Sequence, residues 1–210
     1  MLIKLDHISK QFGARTVLSD LSCRFFPASL TLLTGKNGSG KTTLMKIMAG
    51  LSKPTQGSIE LENTVTPVYV AHATFLYPQL TALENLSFWN RCLNLQLSDD
   101  DLADWLDKTG LWDFADIEAG TFSRGMCQRL NLARALMQKP SLLLLDEPST
   151  GLDTDSRQFL HKELRALRSS GSCIVLISHD LAEDGPLADR TLRLEAGKLA
   201  CDTGDMACGA

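Results

Sequence analysis

Short apolar runs separated by glycine-marked polar breaks open the chain, give way to a helical rhythm in its middle, and return near its end. Leu2, Ile3 and Leu5 start a strand-like pattern and Gly13 with Ala14 fits a turn, so the N-terminal stretch reads as short strands. Leu30 to Leu33 is a brief continuous apolar run, the pattern of a buried strand, ending at Gly35. A helix is predicted from about Lys41 to Ala49, with Gly50 as its stop. Pro54 and Gly57 mark a turn before a strand around Ile59 to Leu61.

From Leu80 to about Lys139 the period becomes helical. Thr81 followed by Glu84 is a capping box that predicts a helix start, with Leu83, Leu86 and Leu93 on one face. Ser98 followed by Asp101 marks a second start and Gly110 a stop. A third helix is expected near Ser123, with Met126, Leu130, Ala133 and Met137 on one stripe. Strands then return. Leu142 to Leu145 reads as a central parallel strand, Cys173 to Ile177 as another buried one, and Arg190 to Leu194 as a last edge strand. Between the first two lies a helix from about Asp155 to Ser169, with Leu160, Leu164 and Leu167 facing a core. Strand–helix alternation around a helical insert implies an α/β core with a mainly parallel sheet. The tail after Thr203 is expected to fray.

Composition changes this picture little. The 210 residues fit one domain or a domain with an insert, and 44% apolar with 22% charged residues is ordinary for a globular chain. A net charge of −4, without a lysine-rich run, gives no reason to expect nucleic-acid binding. Residues 99 to 118 hold eight acids and one lysine, which reads as a solvated helical face. No two of the six cysteines form a C-x-x-C pair, so they are expected as free thiols in a reducing compartment. Lys4, Asp6 and Lys10 interrupt the start, so no signal peptide is expected. No apolar run approaches the roughly 18 residues that span a bilayer, so a membrane role would need another chain.

The chemistry begins at Gly35-Lys36-Asn37-Gly38-Ser39-Gly40-Lys41-Thr42, followed by Thr43, which matches G-x-x-x-x-G-K-[ST] between a strand and a helix. Glycines let successive N–H groups turn inward toward phosphate oxygens, and the helix start adds a partial positive charge. Lys41 would sit near the β- and γ-phosphates, and Thr42 would offer a hydroxyl to Mg2+. Four leucines lead into Asp146 and Glu147. A strand end would bring Asp146 to the metal, directly or through water, and Glu147 would polarise an attacking water. Seen alone, the pair is equally a loop with two solvated acids; the phosphate loop upstream favours catalysis. No N-K-x-D guanine-reading motif is present, so a GTPase is not expected.

Phe122-Ser123-Arg124-Gly125-Met126, Gly151-Leu152-Asp153 and Ser178-His179-Asp180 follow in order. With them the chain resembles the ATP-binding cassette (ABC) family over nearly its whole length. The resemblance implies a P-loop NTPase core of RecA-like type, an antiparallel β portion at the N-terminus and an inserted helical subdomain. Residues 1–79 and 140–210 would form the nucleotide-binding core and 80–139 the helical part of one 1–210 ATPase domain. It further implies that Ser123, Arg124, Gly125 and Met126 form the signature that covers the γ-phosphate held by a second copy. Asp153 is then the D-loop residue, His179 the switch histidine that supports Glu147, and Phe12 the aromatic that stacks on adenine. ATP with Mg2+, a homodimer or pseudo-dimer, and integral membrane subunits are the implied partners, on the cytoplasmic face of the inner membrane. Without the family, Ser123 ahead of a helix reads as a second anion site, with a plain helix N-cap as its alternative; the alternatives for His179 and Phe12 are a structural histidine and a core residue.

The chain departs from the family pattern at three places. Arg124 stands for the second signature glycine and Met126 for its glutamine. The Q-loop glutamine is replaced by His72 or Ala73, and Gln79 comes too late. The region between Gly57 and Val70 is also short for the family. Leu80 to Trp89, preceded by His72, resembles the ATPase subunit of the haem exporter used in cytochrome c maturation, the CcmA type. A generic exporter ATPase for a drug, lipid or polysaccharide is the alternative, and a soluble non-transport ABC ATPase a further one.

Overall fold

The computed structural model describes residues 1–63, 65–71 and 74–203. The candidate Q-loop residues His72 and Ala73, and the tail beyond Thr203, lie outside the described residues. In chain order the elements are β1 (Ile3–Phe12), β2 (Arg15–Phe25), β3 (Ser29–Thr34), α1 (Lys41–Met48), β4 (Gln56–Leu61), β5 (Pro67–Val70), α2 (Ala82–Cys92), α3 (Asp99–Lys108) and α4 (Arg124–Leu136). There follow β6 (Leu142–Asp146), α5 (Thr154–Ser169), β7 (Cys173–Ile177), α6 (Leu181–Asp184), β8 (Arg190–Glu195) and β9 (Lys198–Asp202). The chain divides into two compact units. One comprises Met1–Tyr69, Pro140–Glu147 and Arg165–Ala210, described as far as Thr203; the other comprises Val70–Lys139 and Pro148–Leu164.

The first unit holds two sheets. A three-stranded antiparallel sheet runs β2-β1-β4, and a six-stranded mixed sheet runs β5-β6-β7-β3-β8-β9. In the latter, β3 pairs in parallel with β7 and β8, and β6 pairs in parallel with β7. Every residue of β6 and β7 is buried, which explains their unbroken apolar runs. One core joins Ile3, Leu5, Phe25, Leu33, Leu44, Met45, Leu144, Val175 and Leu194 from both sheets and α1. In the second unit α2, α3 and α4 pack pairwise. Thr81 and Ser98 both form complete capping boxes, as their spacing predicts.

Several expectations need correction. The N-terminal strands are long, 10 and 11 residues, because register shifts let β1 and β2 bend without breaking. β6 lies between β5 and β7, while β7 and β3 are the middle strands. β8 is neither last nor an edge: Ala196 (φ 47) and Gly197 (φ 79) close a tight hairpin into β9. Leu93 is exposed and follows the end of α2, whose buried face is Ala82, Asn85 and Leu86. The Asn85 amide is satisfied there by Tyr77, Leu80 and Thr81 backbone groups.

Gly57 belongs to β4 rather than to a turn. Its φ is +85, and a Cβ there would lie 2.4 Å from the carbonyl oxygens of both Asp6 and His7. Backbone strain and backbone clash add, so Gly57→Ala is expected to lower stability by about 2–3 kcal/mol or more. Urea denaturation checks this, and an unchanged midpoint would mean that β1 yields freely at its bulge.

Candidate functional site

The site starts where β3 stops. Gly35, Gly38 and Gly40 all take positive φ (140, 78 and 109), carrying the chain through a tight loop into α1. Two of these positions also exclude a side chain by packing. A Cβ on Gly35 would stand 2.3 Å from the Leu194 carbonyl oxygen, and one on Gly40 would stand 2.7 Å from Leu18 Cδ2. The β8–β9 turn braces the loop, since Gly197 N–H donates to the Ser39 carbonyl at 3.2 Å. The first turn of α1 contains no acid to offset its positive end. Lys41 is buried, and its ammonium donates to the carbonyls of Gly35 at 2.7 Å and Lys36 at 3.2 Å. Asn37, Gly38, Gly40, Lys41, Thr42 and Thr43 line a cavity of about 430 Å3. Arg15, Val17 and Glu147 complete the lining. Gly35, Lys36 and Ser39 shape the loop through their backbone, Ser39 N–H donating to the Lys36 carbonyl.

The carboxylates sit at the end of β6. Asp146 is buried, and Tyr69 on the neighbouring β5 donates its phenol hydrogen to Asp146 Oδ2 at 3.1 Å. Burial first, then the Asp146 charge, pushes the Tyr69 phenol above its ordinary range, so it remains a donor. Glu147 has φ 55, uncommon for a residue with a side chain, and its N–H donates to the Ile177 carbonyl at 3.1 Å. Glu147 lines the cavity, and its Oε1 meets His179 Nε2 at 2.8 Å.

The donor chemistry suits magnesium. The Thr42 hydroxyl and the Asp146 carboxylate are hard oxygen ligands. Among the described residues no group of three or more His, Cys, Asp or Glu side chains could hold a metal.

The signature residues and Asp153 belong to the second unit. Ser123 caps α4, accepting a hydrogen bond from Met126 N–H at 3.3 Å, and both Ser123 and Arg124 are exposed. A Cβ on Gly125 would lie 3.0 Å from the Gly151 carbonyl oxygen, and Gln128 donates to the Pro148 carbonyl at 2.9 Å. The signature segment and the 148–153 loop therefore hold each other. Asp153 caps α5 through Ser156 N–H at 2.8 Å, and hydrogen bonding from Ser156 keeps its carboxyl below the usual range.

Phe12 is 55% exposed at the tip of the β1–β2 hairpin, which rules out a core role. Lys10 places its ammonium 5.0 Å from the Phe12 ring centroid. Arg15, directly across the hairpin, and Tyr69 are site residues that sequence reasoning missed. Arg15 could have been noticed as a cation just past the turn that presents Phe12; nothing local marks Tyr69.

Comparison with known proteins supplies a context. The model of the ABC transporter family matches residues 18–150. An uncharacterised ABC transporter ATP-binding protein, YybJ of Bacillus subtilis (strain 168), is 32% identical over 94% of each chain. An aliphatic sulfonates import ATP-binding protein, SsuB of Albidiferax ferrireducens, is 36% identical over 94% of this chain and 72% of its own. A Nod factor export ATP-binding protein I of Burkholderia orbicola is 34% identical over 93% of this chain and 68% of its own. Among solved structures, an ATP-binding subunit of an ABC transporter superposes with a TM-score of 0.89 at 25% identity, covering 98% of this chain and 90% of that one.

Two substitutions test the cavity. Lys41→Ala is expected to weaken ATP binding by about 10- to 100-fold, the worth of charge-assisted hydrogen bonds to phosphate. Arg15→Ala, at the more exposed rim, is expected to weaken ATP by about 3- to 10-fold and to reduce the salt dependence of binding. Calorimetric titration with ATP at two salt concentrations measures both.

Proposed function

We propose, for a chain that belongs to the ABC transporter family, that it drives transport by closing on ATP as one half of a head-to-tail pair. The chain is an ATP-hydrolysing, ATP-binding subunit of an ABC transporter. What supports the pairing is its possession of two anion-suited helix starts in separate units. One is the phosphate loop at α1; the other is the exposed Ser123 cap of α4, whose first turn carries no acid. One nucleotide needs one phosphate loop, so the second start is free to cover the γ-phosphate held by another copy.

In this mechanism the loop N–H groups and Lys41 hold the β- and γ-phosphates, releasing Lys41 from the Gly35 and Lys36 carbonyls. Thr42 and Asp146 would hold magnesium, which neutralises phosphate charge when bound. Glu147 orients the attacking water, and His179 fixes the Glu147 carboxylate while reaching toward the γ-phosphate. Ser123 and Gly125 of the second copy donate to that phosphate, with Arg124 and Met126 beside them. Phe12 offers an exposed ring face to adenine. Asp153 ties the signature unit of one copy to the site of the other. Cleavage removes the shared γ-phosphate and lets the pair part.

No helix among the described residues is long and apolar enough to cross a membrane. Integral membrane subunits would supply the cargo path, with this chain bound peripherally at their cytoplasmic face. The relatives' names include sulfonate import, Nod factor export and linearmycin resistance. Haem export has only the Leu80–Trp89 resemblance in its favour, so the broader reading of an exporter ATPase for a drug, lipid or polysaccharide is carried forward. Membrane proteins copurifying with the chain support this reading; ribosomes or DNA in their place contradict it.

Glu147→Gln keeps the shape of the site and removes the carboxylate. It is expected to bind ATP normally, to hydrolyse it at least about 100-fold more slowly, and to accumulate as a dimer. Light scattering at saturating Mg-ATP checks this; a strictly monomeric variant would contradict the pairing.

A further inference from the structure

Asp146 stands at the exit of a fully buried strand, and its carboxylate can turn about a soft terminal torsion. A group that must meet a metal in one orientation needs something to stop that turning. The structure places Tyr69 there. Its hydroxyl donates to Oδ2 at 3.1 Å, from a strand adjacent to β6 in the sheet. The Tyr69 ring is itself held, packed against the hydrophobic core of the same unit. We infer that Tyr69 is a positioning residue that locks the Asp146 carboxylate in the orientation required for the metal. The inference rests on the proposed metal role of Asp146.

The chemistry favours this over a purely structural bond. A neutral O–H donating to a carboxylate is a charge-assisted hydrogen bond, stronger and more directional than one between neutral groups. It occupies one oxygen without neutralising the group, so the negative charge a cation needs is kept. Hydrogen-bond partners of metal-holding carboxylates set ligand orientation in this way, and losing one typically lowers metal affinity by about 10- to 100-fold. Phenylalanine preserves the ring and its packing, so Tyr69→Phe removes the hydroxyl alone.

The test measures metal, not turnover. Mn2+ binding to the full chain loaded with a non-hydrolysable ATP analogue is followed by electron paramagnetic resonance. Wild type, Tyr69→Phe, Asp146→Asn and the double variant are compared, together with nucleotide affinity in excess chelator. Tyr69→Phe is expected to lower Mn2+ affinity about 10-fold and leave metal-free nucleotide binding unchanged. The double variant should be no worse than Asp146→Asn. Unchanged Mn2+ affinity in Tyr69→Phe, beside a loss in Asp146→Asn, overturns the inference and spares the metal assignment. Equal losses with and without metal also overturn it, by showing a structural role. Unchanged affinity in Asp146→Asn overturns the metal assignment itself.

Discussion

Everything at this site depends on how closely backbone approaches backbone behind the phosphate loop. The Leu194 carbonyl stands where a Cβ on Gly35 would be, and Leu18 crowds the place of one on Gly40. The β8–β9 turn bonds to Ser39, and Gly197 lies so near β2 that its own Cβ would meet the Val17 carbonyl oxygen at 2.4 Å. Side chains at these glycines would push the loop off its support. With glycine there, β2, β8 and α1 converge, and the start of α1 is held at the cavity floor. A loop built this way is rigid before any nucleotide arrives, so little ordering remains to oppose binding.

The acid end of the site follows a different logic. Asp146 is held from the side by Tyr69, whereas Glu147 is held by its own strained backbone and by His179. Strain of this kind costs on the order of 1–3 kcal/mol and persists only where surrounding structure enforces it. Here the enforcement is the bond from Glu147 N–H to Ile177 on the adjacent strand. Two neighbouring acids are thereby given different surroundings, which suits one to a metal and the other to water.

The parts legible in the sequence were those whose cause is local. Capping boxes at Thr81 and Ser98 depend on residues three apart, and the buried strands β6 and β7 declare themselves by unbroken apolar runs. The phosphate loop is legible for the same reason. Tyr69 bonding Asp146 spans 77 residues and no local pattern announces it, whereas His179 meeting Glu147 spans 32 and is legible only through the family resemblance. β9 has no clear mark in the sequence because an Ala196-Gly197 turn lacks the usual asparagine or aspartate. Gly57 looks like a turn residue in the sequence because its glycine answers to β1 across the sheet rather than to its chain neighbours.

The central claim is that each nucleotide is gripped by two chains, and mixing two crippled variants tests it most directly. Lys41→Ala spoils the phosphate loop a chain brings to its own site; Ser123→Arg spoils the signature it lends to its partner. In a mixed pair both lesions fall in one site and leave the other whole. ATP hydrolysis is therefore predicted to rise well above that of either impaired protein when the two are combined, and to follow the amount of mixed pair formed. A mixture no more active than its separate components would contradict the shared site.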